Sequence, residues 1–409
     1  MSFHILWLPF FSLFSLTAAA PPTTTTESSH TTPLHQGLHY HQRGDYQLAL
    51  DHYNSGIASN KNCSDCFHLS GLVHLVLSNM DNAIASIRTA IELNPIVDNY
   101  HNSLGEVYRQ TDRPQLAAPH YQEAIRISLM KHRPNSEYHN NAGLVFMQMG
   151  DSTTAAGHFR RAMEIKPFHT SANHNLGLAL RNIGQLEESI LVLQSLRERA
   201  PNDVDATFHL AISLQMSGAL TEAGILYSEI LSTQKEDQTS ETNRTNDDDD
   251  DDDDGDDGDN GDDDDWRTSA IQVNLGAIYQ ESGDFQAAIN LYMQVLAKKP
   301  SDPRALNNLG SSLWQLGDAE GSVDAYTRAI ASDDSSPEPY VNLGVALYEY
   351  GDVAGAKEKY EQALALGGSE GLRVRVAMLM KPIMLSNKDV LRVRERFEAE
   401  IQILQRMSP

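Results

Sequence analysis

Amide side chains return at fixed places along this chain. Asn141 and Asn175, and then Asn274, Asn308 and Asn342, stand 34 residues apart within each group, and His209 takes the place that follows Asn175. An amide carries a donor and an acceptor in one group, so a column of them can bond the backbone of an extended peptide whatever its side chains. Asparagine in such a place can equally serve local hydrogen bonding. These six residues form the candidate peptide-binding groove, and the partners they imply are other proteins or peptides.

Other reactive residues are few. Cys63 and Cys66 are the only cysteines. A CxxC outside a βαβ context reads as a local disulfide or two free thiols rather than a redox centre, and without further cysteines it is not a zinc site. Asn62 and Asn243 open the sequons Asn62-Cys63-Ser64 and Asn243-Arg244-Thr245, which are expected in inter-repeat loops as N-glycosylation acceptors. His35, His39 and His41 lie close together but have no carboxylate partner, so no metal ligand set is expected. No GxSxG, HExxH, P-loop or dinucleotide fingerprint occurs, and no cofactor is expected.

The elements that carry the amides follow from a second column. Gly37, Gly71 and Gly105, then Gly143, Gly177 and Ala211, then Gly276, Gly310 and Gly344 repeat every 34 residues within each group. A period of that length indicates stacked helical hairpins. Small residues mark where two helices cross, and Ala49, Ala83, Ala117, Ala155, Ser189, Ala223, Ala288, Ser322 and Ala356 supply them on the second helix. Four residues on, Tyr53, Ile87, Tyr121, Phe159, Leu193, Tyr227, Tyr292, Tyr326 and Tyr360 are expected to fill the groove between hairpins. Pro95, Pro167, Pro201 and Pro300 stop the second helix.

The unit with Leu275-Gly276, Tyr279, Ala288, Tyr292 and Pro300 resembles the tetratricopeptide repeat (TPR). The register predicts nine repeats, beginning near 30, 64, 98, 136, 170, 204, 269, 303 and 337. The expected fold is all-α, a superhelical solenoid of about nine helix-turn-helix repeats with a C-terminal capping helix. The first repeat reads as an N-terminal cap, with Pro33 and Gln36 where bulky residues are expected. Two steps are long, 105 to 143 and 211 to 276, and the extra residues are expected in inter-repeat turns. Chaperone-binding members of the family clamp a carboxylate with lysine just before the amide column. This chain has none there, so that chemistry is not expected. The amide column itself is similar to that of the repeat domain in O-linked N-acetylglucosamine transferases, which implies substrate-protein binding.

Composition divides the chain further. Residues 1–20 contain a 12-residue apolar run ending in small residues, too short to span a membrane, and read as a signal peptide. Residues 21–33 form a Pro/Thr-rich linker. Repeats one to six occupy 30–231 and repeats seven to nine 269–370. Between them, 232–268 is an acidic insert expected to be disordered. Its stretch Asp247 to Asp265 holds 15 aspartates, without which the net charge of -25 would be -10. That tract reads as a solvated insertion, as a weak Ca2+ site, or as an arm for basic partners. A chain so acidic does not suit nucleic acid.

Residues 371–409 read as capping or junction helices, with Val390, Val393, Phe397, Ile401 and Leu404 as an apolar stripe. The string Pro382-Ile383, Ser386 and Arg394-Glu395-Arg396-Phe397-Glu398 resembles the junction of TPR-fused, Spindly-like O-glycosyltransferases. The function expected is a non-catalytic interaction scaffold holding extended peptides. The alternative that the resemblance implies is the substrate-recognition arm of a protein O-glycosyltransferase whose catalytic domain is absent from this chain. The address expected is the secretory pathway, lumenal or secreted, with a cytoplasmic or nuclear site if the leader does not function.

Overall fold

The computed structural model describes residues 32–244, 261–369, 371–377 and 379, and among them are nineteen helices and no strand. The leader, nearly all of the 21–33 linker, residues 245–260 including most of the aspartate tract, the stripe from Val390 and the string from Pro382 lie outside the described residues. The chain divides into two compact units, Met1–Ser217 and Gly218–Pro409.

In the first unit the hairpins are α1 (Pro33–Gln42) with α2 (Tyr46–Ser59), α3 (Ser64–Val76) with α4 (Met80–Leu93) and α5 (Asp98–Gln110) with α6 (Pro114–Met130). They are followed by α7 (Ser136–Gln148) with α8 (Ser152–Ile165), α9 (Thr170–Asn182) with α10 (Leu186–Arg199), and α11 (Val204–Met216). The second unit opens with α12 (Leu220–Arg244) and α13 (Gly261–Glu281). It continues with α14 (Phe285–Lys298), α15 (Pro303–Gln315), α16 (Ala319–Ser332), α17 (Pro337–Glu349), α18 (Val353–Ala365) and α19 (Gly371–Ala377). Within each unit successive hairpins pack on one another, and the first helices of successive repeats approach one another more closely than the second helices do. Each stack therefore closes toward its first helices, whose outer side chains form an inner face.

Local chemistry sets the ends of these helices. Asp151, Asp284, Asp318 and Asp352 cap second helices by accepting the N–H of Thr154, Ala287, Gly321 and Gly355. Past each first helix the chain turns through a left-handed residue: Gly150, Gly184, Gly283, Gly317 and Gly351 have φ between 78° and 85°. Ser78 (φ 59°) and Asp112 (φ 55°) occupy the same place without glycine's freedom. Pro95, Pro167, Pro201 and Pro300 each follow the C-cap residue of a second helix, as their missing N–H requires.

The core of a hairpin is a glycine against a large side chain of its own partner helix. A Cβ on Gly276 would lie 2.5 Å from the Tyr292 ring, and one on Gly177 would lie 2.6 Å from Leu193. The aromatic column thus covers the glycine column within each repeat instead of only filling the space between hairpins, a correction to the expectation above. Tyr53, Tyr121, Phe159 and Tyr292 are fully buried as a result.

Four further expectations are corrected. The extra residues between Gly105 and Gly143 mostly lengthen a helix: α6 has 17 residues where α4 and α8 have 14. The 232–268 insert is not irregular throughout, because α12 continues to Arg244 and α13 begins at Gly261. Glu, Gln and Lys after 233 favour helix, and acidic residues are favoured at a helix start, where the backbone dipole is positive. Asn243 consequently sits in α12 and not in a loop. The linker also ends earlier than expected, since Thr32 caps α1 and Pro33 is its first residue.

Candidate functional site

The amide column lies on the inner face, and the structure ties most of it to neighbouring repeats. Asn141 Nδ2 donates to Asn102 Oδ1 (3.1 Å), Asn175 Nδ2 to Asn140 Oδ1 (3.1 Å), and Asn342 Nδ2 to Asn307 Oδ1 (2.9 Å). Each bond joins one position to the preceding position of the repeat before it. His68 and Ser103 share a hydrogen bond of 2.9 Å in the same register, and the His174 and His209 rings meet there at 4.9 Å. Asn274 Nδ2 reaches the Tyr227 hydroxyl at 3.3 Å. Asn175 and His209 are buried. The column's first role is therefore to bond repeat to repeat, because a half-buried amide must find partners within the protein.

Asn308 differs. It lines an open cavity of about 450 Å³ together with Ala277, Gln280 and Glu281 of α13, Phe285 at the start of α14, and Gln315 of α15. Three amides and a carboxylate converge there beside an aromatic ring. Gln280 and Gln315 were not among the expected residues. Gln315 had a signal in the sequence, five places after the repeat glycine, where Gln110, Gln148, Asn182 and Gln315 recur; Gln280 stands four places after Gly276, where only Gln215 matches it. A second cavity of about 370 Å³ between α12 and α13 is lined by Leu220, Ile225, Leu275, Ile278 and Tyr279, with only hydroxyls as polar side-chain groups.

In the first unit the inner face carries a charged network that sequence reasoning missed. Glu106 is buried and accepts from Arg109 Nε (2.9 Å) and Nη2 (2.6 Å), Gln110 Nε2 (2.8 Å) and the Tyr121 hydroxyl (2.8 Å). Burial opposes its charge, yet Arg109 and these hydrogen bonds hold the carboxyl below its ordinary range. Two histidine pairs recur in consecutive repeats, His101 with His120 (Nδ1 to Nδ1 3.5 Å) and His139 with His158 (3.3 Å). Burial, then the neighbouring histidine, pushes His120 and His139 down to about 4.

The remaining candidates are dispersed. Cys63 and Cys66 are joined by a disulfide across the first turn of α3, with Cα atoms 5.3 Å apart. Asn62 is exposed in the turn before it. His35 Nδ1 bonds Thr32 Oγ1 at 2.6 Å while His41 is buried against the Tyr53 hydroxyl at 3.3 Å, so the three N-terminal histidines do not converge. Among the described residues no three His, Cys, Asp or Glu side chains come together as a metal site, and no helix is long and apolar enough to cross a membrane.

The hairpin geometry and the comparisons agree on a class. The tetratricopeptide repeat family model matches residues 69–128, 174–240 and 273–337. A solved tetratricopeptide repeat protein from Parabacteroides merdae is 11% identical, with a TM-score of 0.52 over 68% of this chain and 96% of that one. The C-terminal part of a TPR repeat-containing protein from Cytophaga hutchinsonii is 14% identical, with a TM-score of 0.50 over 67% of this chain and 98% of that one. A comparison with curated protein sequences gives no match. The chain is a tetratricopeptide repeat protein, a class whose stacked hairpins serve as scaffolds for binding other proteins or peptides.

Proposed function

We propose that this protein is a non-catalytic scaffold that holds extended peptide segments against the inner face of its first helices, with the α13–α15 cavity as the principal contact. The supporting observation is the convergence of Gln280, Asn308 and Gln315 on one open cavity. Their amides can donate to peptide carbonyls and accept from peptide N–H groups without reading side chains. Asn141, Asn175, His209, Asn274 and Asn342 contribute by holding the inner face in register.

The test is pull-down of partners by the full chain carrying Gln280→Ala, Asn308→Ala and Gln315→Ala together. Partner capture falls while helix content is retained if the cavity is the contact; capture equal to the parent rejects it. A glycosyltransferase among the captured proteins would favour the substrate-recognition reading. We also propose entry into the secretory pathway, which the Cys63–Cys66 disulfide and the exposed Asn62 sequon support. Glycosidase treatment of the secreted or lumenal protein tests this: no mobility shift, and an N-terminus at Met1, would reject it.

A further inference from the structure

We infer that the α13–α15 cavity takes an arginine side chain carried on the bound peptide. The inference rests on the peptide-binding reading and specifies its partner.

The cavity combines three features that suit a guanidinium. Glu281 places an exposed carboxylate at its rim, Phe285 offers a half-buried ring beside it, and Gln315 lines it with an amide, while Gln280 Oε1 and Asn308 Oδ1, which accept from the Tyr292 hydroxyl (3.2 Å) and Asn307 Nδ2 (3.4 Å), each keep a second lone pair. A planar guanidinium can lie on the ring face while its edge donates to the carboxylate and to an amide oxygen. An ammonium presents no such plane, and a carboxylate would be repelled. Glu281 is in no ion pair among the described residues, so its charge is not already matched.

The surroundings carry the same sign. Where first helices end and second helices begin in repeats seven to nine, the chain presents Glu281, Asp284, Asp318, Glu320, Glu349 and Asp352, with no Lys or Arg in 276–290, 310–324 or 344–356. Asp284, Asp318 and Asp352 are engaged as helix caps. Glu349, like Glu281, joins no ion pair among the described residues. Further along this edge Trp314 and Tyr350 meet edge-on at 6.3 Å, and Tyr350 is 58% exposed. A cationic segment is thus favoured along the edge, with a pocket at Glu281 and Phe285.

The experiment uses the full chain and two short fluorescein-labelled Gly/Ser peptides, one with arginines and one with neutral citrulline in their place, read by fluorescence anisotropy. The arginine peptide is expected to bind at least about tenfold more tightly, the scale of one charge-assisted hydrogen bond with ring stacking. Glu281→Gln should abolish that preference, and Phe285→Leu should reduce it. Equal affinity for the two peptides overturns the inference. So does an arginine preference that survives Glu281→Gln, which would place the cation on another acidic segment such as 247–265. Asn308→Ala separates this inference from the reading beneath it. If both peptides weaken in that variant but bind equally in the parent chain, only the arginine assignment falls. If neither responds to Asn308→Ala, the peptide-binding cavity falls and the arginine assignment with it.

Discussion

At the scale of single residues, glycine does two separate jobs in most repeats. Gly276 keeps α13 close to the Tyr292 ring, and Gly283 turns the chain through a left-handed conformation seven residues later. The first job was legible from the period; the second was not, because Ser78 and Asp112 interrupt its column. Gly276→Ala should destabilise the second unit by roughly 1–3 kcal/mol through overpacking, despite the ~1 kcal/mol helix-propensity gain of alanine. Ser78→Gly should stabilise the first unit by about 1 kcal/mol, since an L-residue pays that much in the left-handed region. Thermal or denaturant unfolding of each variant measures both effects.

Between elements, the amide column works as a bond from repeat to repeat. The sequence marked its positions but did not show that Asn342 bonds Asn307 across repeats while Asn308 accepts from its own neighbour Asn307 and lines a cavity, because the pairing register from repeat to repeat is set by packing. These two residues should therefore separate on mutation. Asn342→Ala should cost about 1 kcal/mol of stability, the net worth of one hydrogen bond, with little change in peptide affinity. Asn308→Ala should weaken peptide binding with a smaller change in melting temperature. Calorimetry and anisotropy on the same samples would show the crossover, and parallel losses in both variants would contradict it. Helix lengths were equally hidden: an insertion of four residues can enter a turn or extend a helix, and α6 took most of it.

Across the whole molecule, titratable chemistry is divided unevenly. All sixteen histidines precede residue 218, so the second unit contains none. In the first unit burial depresses His41, His74, His158 and His174, and pushes His68, His120 and His139 down to about 4. An unfolded histidine protonates near its ordinary value of about 6.5, so below that pH the unfolded chain binds more protons than the folded one. Stability of the first unit should accordingly be complete above about 6.5 and decline as the pH falls toward about 4. Hydrogen exchange at pH 7 and pH 5, after correction for intrinsic rates, should show protection lost in α3 to α9 and kept in α14 to α18. Equal loss in both units would contradict the assignment to histidine.

The amino-acid sequence by itself determined the repeat. A 34-residue beat of small, bulky and helix-stopping residues suffices to define stacked hairpins, because each column satisfies a contact within its own hairpin or the next. Tertiary structure decided which amides are spent and which remain for a partner. That choice depends on what the preceding repeat presents at each step: Asn342 meets the Asn307 amide oxygen, whereas Val273 at the matching place before Asn308 offers no acceptor, so Asn308 bonds its neighbour Asn307 and lines the α13–α15 cavity with Gln280 and Gln315.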